Sequence, residues 1–165
     1  MPKIFIGLGA NLTPVGYRDP RDGCEAALVA LQEEGIFLEE LSNWYETAPV
    51  PISDQPWYLN AVALVTTNVG AALTLAALHR IESRFGRVRG ERNEARVLDI
   101  DLLDFDGHSN QNPSLMLPHP RMHQRAFVLL PLRELCPKWH HPVSGISIDD
   151  LIAKLPSCQK IRLAV

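Results

Sequence analysis

Arg87-Val-Arg-Gly-Glu-Arg-Asn-Glu-Ala-Arg-Val-Leu-Asp-Ile-Asp-Leu-Leu103 places four arginines directly ahead of two carboxylates, and its second half alternates as a strand does. Successive side chains of a strand point to opposite faces, so Asp99 and Asp101 share one face while Leu98, Ile100 and Leu102 share the other. The apolar face calls for a core, which makes Val97 to Phe105 one strand of a sheet covered on that side. At about 7 Å between Cα atoms, two ionised carboxylates repel by roughly 2 kcal/mol at an effective dielectric of about 20. A bound cation removes that penalty. An oxygen-only ligand set favours Mg²⁺, which takes one or two protein carboxylates and completes its octahedron with water and substrate phosphate. Arg87, Arg89, Arg92 and Arg96 then suit phosphate oxygens, through charge-assisted and often bidentate hydrogen bonds. A solvated acidic strand edge beside a basic loop is the plainer alternative.

Working outward from this strand, Ala71 to Phe85 reads as a helix stopped by Gly86, and Tyr58 to Thr67 as a strand. The prolines of Ala48-Pro-Val-Pro-Ile-Ser-Asp-Gln-Pro56 exclude helix or central strand and predict a stiff loop. Before it, Phe37 to Glu46 reads as a strand, Arg21 to Glu34 as a helix stopped by Gly35, and Lys3 to Leu8 as a strand that breaks in a glycine-rich turn. After Phe105, a turn at Asp106-Gly107 leads to a loop over Leu117 to Phe127. A short apolar element follows at Val128 to Leu135, helical near its end, and then a helix at Ile148 to Leu155 with Ser147 or Asp149 near its start. The order strand, helix, strand, strand, helix, strand predicts an α+β fold, the ferredoxin-like βαββαβ sandwich, with additional C-terminal elements. Such a fold hosts many chemistries, so function must come from the site.

At 165 residues, 46% hydrophobic and 21% charged, the chain is expected to form a single soluble domain spanning 1–165. A net charge of -3 gives no general attraction to nucleic acid or anionic membrane, so any anion site is a local gathering of arginine. No apolar run approaches the roughly 20 residues that span a bilayer, and the N-terminus runs straight into a strand without a signal-peptide layout. A cytoplasmic monomer is expected. Cys24, Cys136 and Cys158 are odd in number and form no CxxC pair, which argues against a disulfide framework and a thiolate zinc site. His119 and His123 have a zinc-compatible spacing only on a helix, which Pro118 and Pro120 oppose, and His140 and His141 are expected at the surface.

Six short motifs occur in order: Gly7-Leu-Gly9-Ala-Asn11-Leu12; Tyr45-Glu-Thr47; Asp54-Gln-Pro56 with Tyr58-Leu-Asn60-Ala61; Arg80-Ile-Glu82 with Gly86-Arg87-Val-Arg89; Arg96-Val-Leu-Asp99-Ile-Asp101; and Leu117-Pro-His119-Pro with Arg125-Ala-Phe127. Together they resemble the 2-amino-4-hydroxy-6-hydroxymethyl-7,8-dihydropterin pyrophosphokinase (HPPK) family of folate biosynthesis, over Ile6 to about Pro137. The resemblance implies transfer of the diphosphate of ATP to the pterin hydroxymethyl group, with two Mg²⁺ ions on Asp99 and Asp101. It assigns Arg87, Arg92, Arg96, Asp99 and Asp101 to catalysis. ATP binding falls to His79, Glu82, Arg87, Arg89, Arg92, Arg96, His119 and Arg125. Pterin binding falls to Asn60 for the amide-like edge, Phe127 and Tyr58 as aromatic plates, and Thr47 and Val50 through main-chain contacts.

The chain departs from this pattern at Asn93, Glu94 and Ala95, where members usually carry tryptophan, glycine and proline, and at Pro120, an aromatic in some members. A nucleotide-binding relative that keeps the fold without the transfer is the rival reading, and release of AMP separates the two. An RNA-binding module is disfavoured by the acidic balance and the lack of an aromatic, basic strand motif. A P-loop kinase is excluded because no GxxxxGK[ST] occurs.

Overall fold

The computed structural model describes residues 2–49, 53–87 and 95–164. It is a mixed α+β arrangement of one antiparallel sheet and, among the described residues, four α-helices. The central strand β1 (Ile4–Ala10) lies between β4 (Tyr58–Thr67) and β5 (Asp99–Phe105). On its other edge β4 pairs with β2 (Ile36–Leu41) and β3 (Tyr45–Thr47), and β3 pairs in turn with β6 (Ile161–Leu163). β4 coincides residue for residue with the strand expected from sequence.

The expected strand from Phe37 to Glu46 is broken in two. Ser42 donates its N–H to Val62 O at 3.0 Å, and its hydroxyl accepts Val62 N–H at 2.9 Å, standing in for a backbone carbonyl. Between the pairs Leu41–Ala63 and Tyr45–Asn60, Ser42, Asn43 and Trp44 face only Ala61 and Val62. The extra residue turns Trp44 into the core.

Helix α1 (Pro20–Glu33) opens with Asp19 accepting the Asp22 N–H at 2.7 Å and with proline in its first turn. It ends at Gly35, whose φ of +77° suits glycine. Helix α2 (Ala71–Arg84) closes in a Schellman turn: Gly86 at φ +94° donates to Ser83 O and Arg87 donates to Glu82 O. Both helices bury apolar stripes against the face carrying Ile4, Ile6, Leu8, Ala61, Ile100 and Leu102.

Helices α3 (Ala126–Leu135) and α4 (Ile148–Ala153) cover the opposite face, against Phe5, Val62, Leu64 and Leu103. The C-terminal third is thus a second helical layer. Gln124 ends a short 3-10 turn from Met122, and α3 then starts at Ala126, earlier than expected, because its apolar residues find this sheet face. Pro131 is accommodated inside α3. Ser147 caps α4 through the Asp150 N–H, and β6, which the sequence did not announce, forms by pairing with β3. No helix among the described residues is long and apolar enough to cross a membrane.

All three cysteines are free. Cys24 lies in the core, where burial pushes its thiol up to about 12, while Cys158 is exposed. His141 is less exposed than expected: its ring stands edge-on to Trp139, and its Nδ1 accepts the N–H groups of Val143 and Ser144. Asp104 is the other buried polar anchor of this layer, accepting from Trp139 Nε1 at 2.9 Å and Gly107 N at 3.0 Å. Burial raises its carboxyl above the usual range even with these donors. Trp139→Phe removes one donor from a buried carboxylate at a loss of about 2 kcal/mol, which lowers the melting temperature by about 4–8 °C for a chain of this size. Thermal unfolding of the variant checks this, and an unchanged midpoint contradicts it.

Candidate functional site

The site is built on the open ends of three neighbouring strands. On β5, Asp99 and Asp101 point to the face covered by α3, but at the end that α3 leaves half open, while Ile100 and Leu102 sit in the α1–α2 core. In register, Gly9 of β1 lies between Asp99 of β5 and Asn60 of β4, and Gly7 lies between Asp101 and Val62. The glycines keep the middle of the sheet bare. A Cβ at Gly9 would stand 2.8 Å from Asn60 Oδ1, and one at Gly7 would meet Leu103 Cδ1 at 3.4 Å. Asn60 and Asp99 therefore face each other over a shallow floor two strand spacings wide, about 10 Å.

The carboxylates are partnered by arginine on every side. Arg87, folded back by the Schellman turn, bridges Glu82 and Asp99, and Arg96 Nη1 reaches Asp99 Oδ2 at 3.1 Å. Arg125 Nη1 lies 3.7 Å from Asp101 Oδ2. Burial, then repulsion from Asp99, pushes the Asp101 carboxyl up to about 6 against the pull of Arg125, Arg87 and Arg96. Glu82, buried between α2 and β5, is pushed up to about 7 by burial, although its Oε2 accepts the Ile100 N–H at 2.9 Å and lies beside Arg87. His119 Nδ1 accepts the Arg121 N–H, which leaves the ring proton on Nε2, 3.9 Å from Asp101 Oδ2. Burial, then the charges of Arg125 and Arg121, hold this imidazole down at about 4, so it is neutral near pH 7.

A cleft of about 260 Å³ opens over these groups, lined by His79, Glu82, Arg87, Asp99, Asp101 and His119 among the residues singled out from sequence. Arg96 and Arg125 flank it through their carboxylate partners. Across the glycine floor, Asn60 Nδ2 donates to Thr47 Oγ1 at 2.8 Å, and Tyr58, one strand position pair away, donates its hydroxyl to Gln55 Oε1 at 3.4 Å. Thr47 thus fixes one side of the Asn60 amide. Phe127 is half-buried with the Arg125 guanidinium 5.3 Å above its ring. Val50, Arg89 and Arg92 lie outside the described residues.

The sequence did not single out the apolar wall of the cleft from Pro113 to Met116, nor the role of Asn11. The buried Asn11 donates to Gln55 Oε1 and Pro56 O, and accepts the Arg96 N–H at 2.8 Å. Its own N–H and that of Leu12 donate to Arg96 O. One side chain thereby ties the segment leading into β4 to the arginine that meets Asp99. An asparagine just after two glycines was the available signal.

The donor chemistry fits Mg²⁺. Asp99 and Asp101 offer oxygen only, and no set of three His, Cys, Asp or Glu side chains among the described residues converges into a closed metal cage. A hard cation that retains water and takes further oxygens from a phosphate suits such a pair.

A family model described as 7,8-dihydro-6-hydroxymethylpterin-pyrophosphokinase (HPPK) matches residues 5–137. The 2-amino-4-hydroxy-6-hydroxymethyldihydropteridine pyrophosphokinase of Haemophilus influenzae is 37% identical over 165 residues, covering 99% of each chain. Its counterpart from Synechocystis is 38% identical over 150 residues, 91% of this chain and 74% of the relative. Among solved structures, a triple mutant of Plasmodium falciparum HPPK-DHPS superposes with a TM-score of 0.69 at 17% identity, over 93% of this chain and 44% of that larger one. That last likeness is one of fold. With the family model spanning most of the chain and full-length relatives well above 30% identity, this chain belongs to the HPPK family.

Proposed function

We propose that this chain transfers the β,γ-diphosphate of ATP to the hydroxymethyl group of 6-hydroxymethyl-7,8-dihydropterin in folate biosynthesis, releasing AMP. The observation that carries the reading is the Asp99–Asp101 pair, rimmed by arginine and separated from Asn60 only by the bare Gly9. In the reaction the substrate hydroxyl oxygen forms a bond to the β-phosphorus while the bond from that phosphorus to the α-phosphate oxygen breaks, and the hydroxyl proton leaves to solvent. Such transfers depend on positioning and on neutralising charge.

Each part of the site has a place in this scheme. Asn60 is the group that reads the pterin amide edge, with Tyr58 and Phe127 as plates and Thr47 holding the Asn60 amide in orientation. Asp99 and Asp101 are the residues that would hold Mg²⁺, which supplies charge neutralisation and polarisation of the phosphoryl oxygens when bound. Three guanidinium groups face three carboxylates here, Arg87, Arg96 and Arg125 against Glu82, Asp99 and Asp101. Two divalent ions, the number the resemblance implies, would offset much of the charge of an incoming triphosphate. Arg87 and Arg96 meet Asp99 here and would turn to phosphate oxygens where Asp99 holds Mg²⁺. His119, neutral with its proton on Nε2, is a donor suited to a phosphate oxygen and places no positive charge on the metal site. We place Arg89 and Arg92 among the phosphate-binding groups, and Val50 on the pterin side, by resemblance alone.

We also read the sheet as ferredoxin-like, βαββαβ, with β2 and β3 together standing for the second strand and α3, α4 and β6 as additions; the strand order supports this. We take residues 1–165 as one unit acting as a monomer in the cytoplasm, a setting that suits three free cysteines.

The direct experiment mixes the protein with ATP, Mg²⁺ and 6-hydroxymethyl-7,8-dihydropterin and measures AMP. ATP binding without AMP release would sink the proposal and favour a nucleotide-binding relative. Asp101→Asn removes a ligand charge together with its repulsion on Asp99, so turnover should fall more than about 100-fold while stability holds or rises slightly. Unaltered AMP release at limiting Mg²⁺ would contradict its role. Gly9→Ala should push the buried Asn60 amide from its place against Thr47, costing about 1 kcal/mol and lowering the melting temperature by about 2–4 °C, while raising the pterin KM roughly tenfold. Equal shifts in the pterin and ATP KM values would argue against that assignment.

A further inference from the structure

The last strand of the chain lies beyond the residues matched by the family model, yet it reaches both walls of the proposed pterin side. α3 begins at Ala126 with Arg125 as its N-cap residue, and Arg125 makes no side-chain cap hydrogen bond. Its first N–H groups therefore need an outside acceptor. Gln159 supplies one: its Oε1 accepts the Ala126 N–H at 2.8 Å, while its Nε2 donates to Gln124 O at 2.8 Å. One amide grips the backbone on both sides of Arg125, the residue that faces Asp101, and immediately before Phe127.

The residues that follow fasten the other wall. Lys160 O accepts the Ala48 N–H at 3.1 Å, and Ile161 pairs with Thr47, whose hydroxyl orients Asn60. Arg162 then lies 4.2 Å over the Trp57 ring and donates to Glu46, locking the strand to the segment that delivers Tyr58. Gln159 and Ile161 are two residues apart, so at most about 7 Å of extended chain links the grip on the Phe127 side to the grip on the Asn60 side.

We infer that Gln159 is a positioning residue for the acceptor substrate: it caps α3 in trans and, through the adjoining strand β6, fixes the spacing between Phe127 and the Thr47–Asn60 pair. This rests on the pterin reading of those residues. On the ATP side the tail reaches only the backbone flanking Arg125, while Arg87, Arg96 and His119 keep anchors of their own, so a loosened tail acts more strongly on the acceptor than on ATP. A fault that only lowers the folded fraction behaves differently, since it reduces apparent kcat and leaves both KM values in place.

The test compares the full-length wild type with Gln159→Ala and Gln159→Glu, well below their melting temperatures. Gln159→Ala loses both grips and should raise the pterin KM about five- to tenfold, with the ATP KM rising at most about threefold through Arg125. Gln159→Glu keeps an acceptor for the Ala126 N–H but meets the Gln124 carbonyl with an oxygen in place of a donor, so it should slow Ala126 exchange relative to Gln159→Ala while leaving the pterin KM raised. Amide hydrogen exchange gives a second readout that needs no turnover: Gln159→Ala should speed exchange at Ala126 and Phe127, with Leu78 and Ile81 in α2 unchanged. If wild type releases no AMP but exchange responds in this way, the proposed function fails and the brace stands. If the pterin KM and the local exchange are both unaltered, or both KM values rise by the same factor, or Ala126 exchanges as fast in Gln159→Glu as in Gln159→Ala, the inference is overturned.

Discussion

Asp99 and Asp101 stand on one side of β5 at the point where the α3–α4 layer stops. One step further along the strand, Leu103 is fully buried in that layer, and Asp104 survives burial only by accepting two N–H groups. One step nearer the open end, water would screen the pair and its repulsion would lose force. The two carboxylates occupy the narrow zone between, dry enough for their charges to act on a ligand and open enough for one to arrive. Burial raises Asp101 to about 6, and the surrounding arginines keep the rise from going further. The helical layer on this face thus sets the chemistry as much as the aspartates do.

The glycines of β1 answer a second demand. A transfer between two substrates needs them to approach across the sheet without a side chain between them, and the central strand would ordinarily raise one there. At Gly9 the floor is so close to Asn60 that even a methyl group would push the amide away. Asn11, two residues on, ties the segment that enters β4 to the backbone of Arg96. The start of the chain therefore holds the two halves of the site apart with glycine and in register with asparagine.

Much of this is legible from local pattern. The alternation through Asp99 to Leu102 defines the faces of β5, and Gly35 and Gly86 end the two helices because only glycine takes their backbone conformation without strain. The chemistry of an acidic pair after an arginine run is likewise visible in the order of the residues alone. What stays hidden depends on partners distant in sequence. The break at Ser42 requires Val62 to meet the serine hydroxyl, β6 exists only because β3 offers it an edge, and α3 owes its start to Gln159. Periodicity cannot announce a cap supplied from 33 residues downstream. The half-buried state of the aspartate face is hidden for the same reason, since it follows from where a later helix lands.

Arg87 shows how fixed backbone and exchangeable charge coexist here. Its main chain is set by the Schellman turn, and its Nη1 meets both Glu82 and Asp99. Glu82 has a second tie, through the Ile100 N–H, which lies between the two aspartates in sequence. On the proposed reading, Arg87 and Arg96 would turn from Asp99 to phosphate, and Asp99 would be one of the residues holding the cation. The peptide carrying the aspartates would then stay held by Glu82 while the charges above it regroup. A buried glutamate pushed to about 7 is a costly element to keep in a fold. Its position gives a reason: on the proposed reading it holds the Ile100 N–H independently of the arginines that would turn to phosphate.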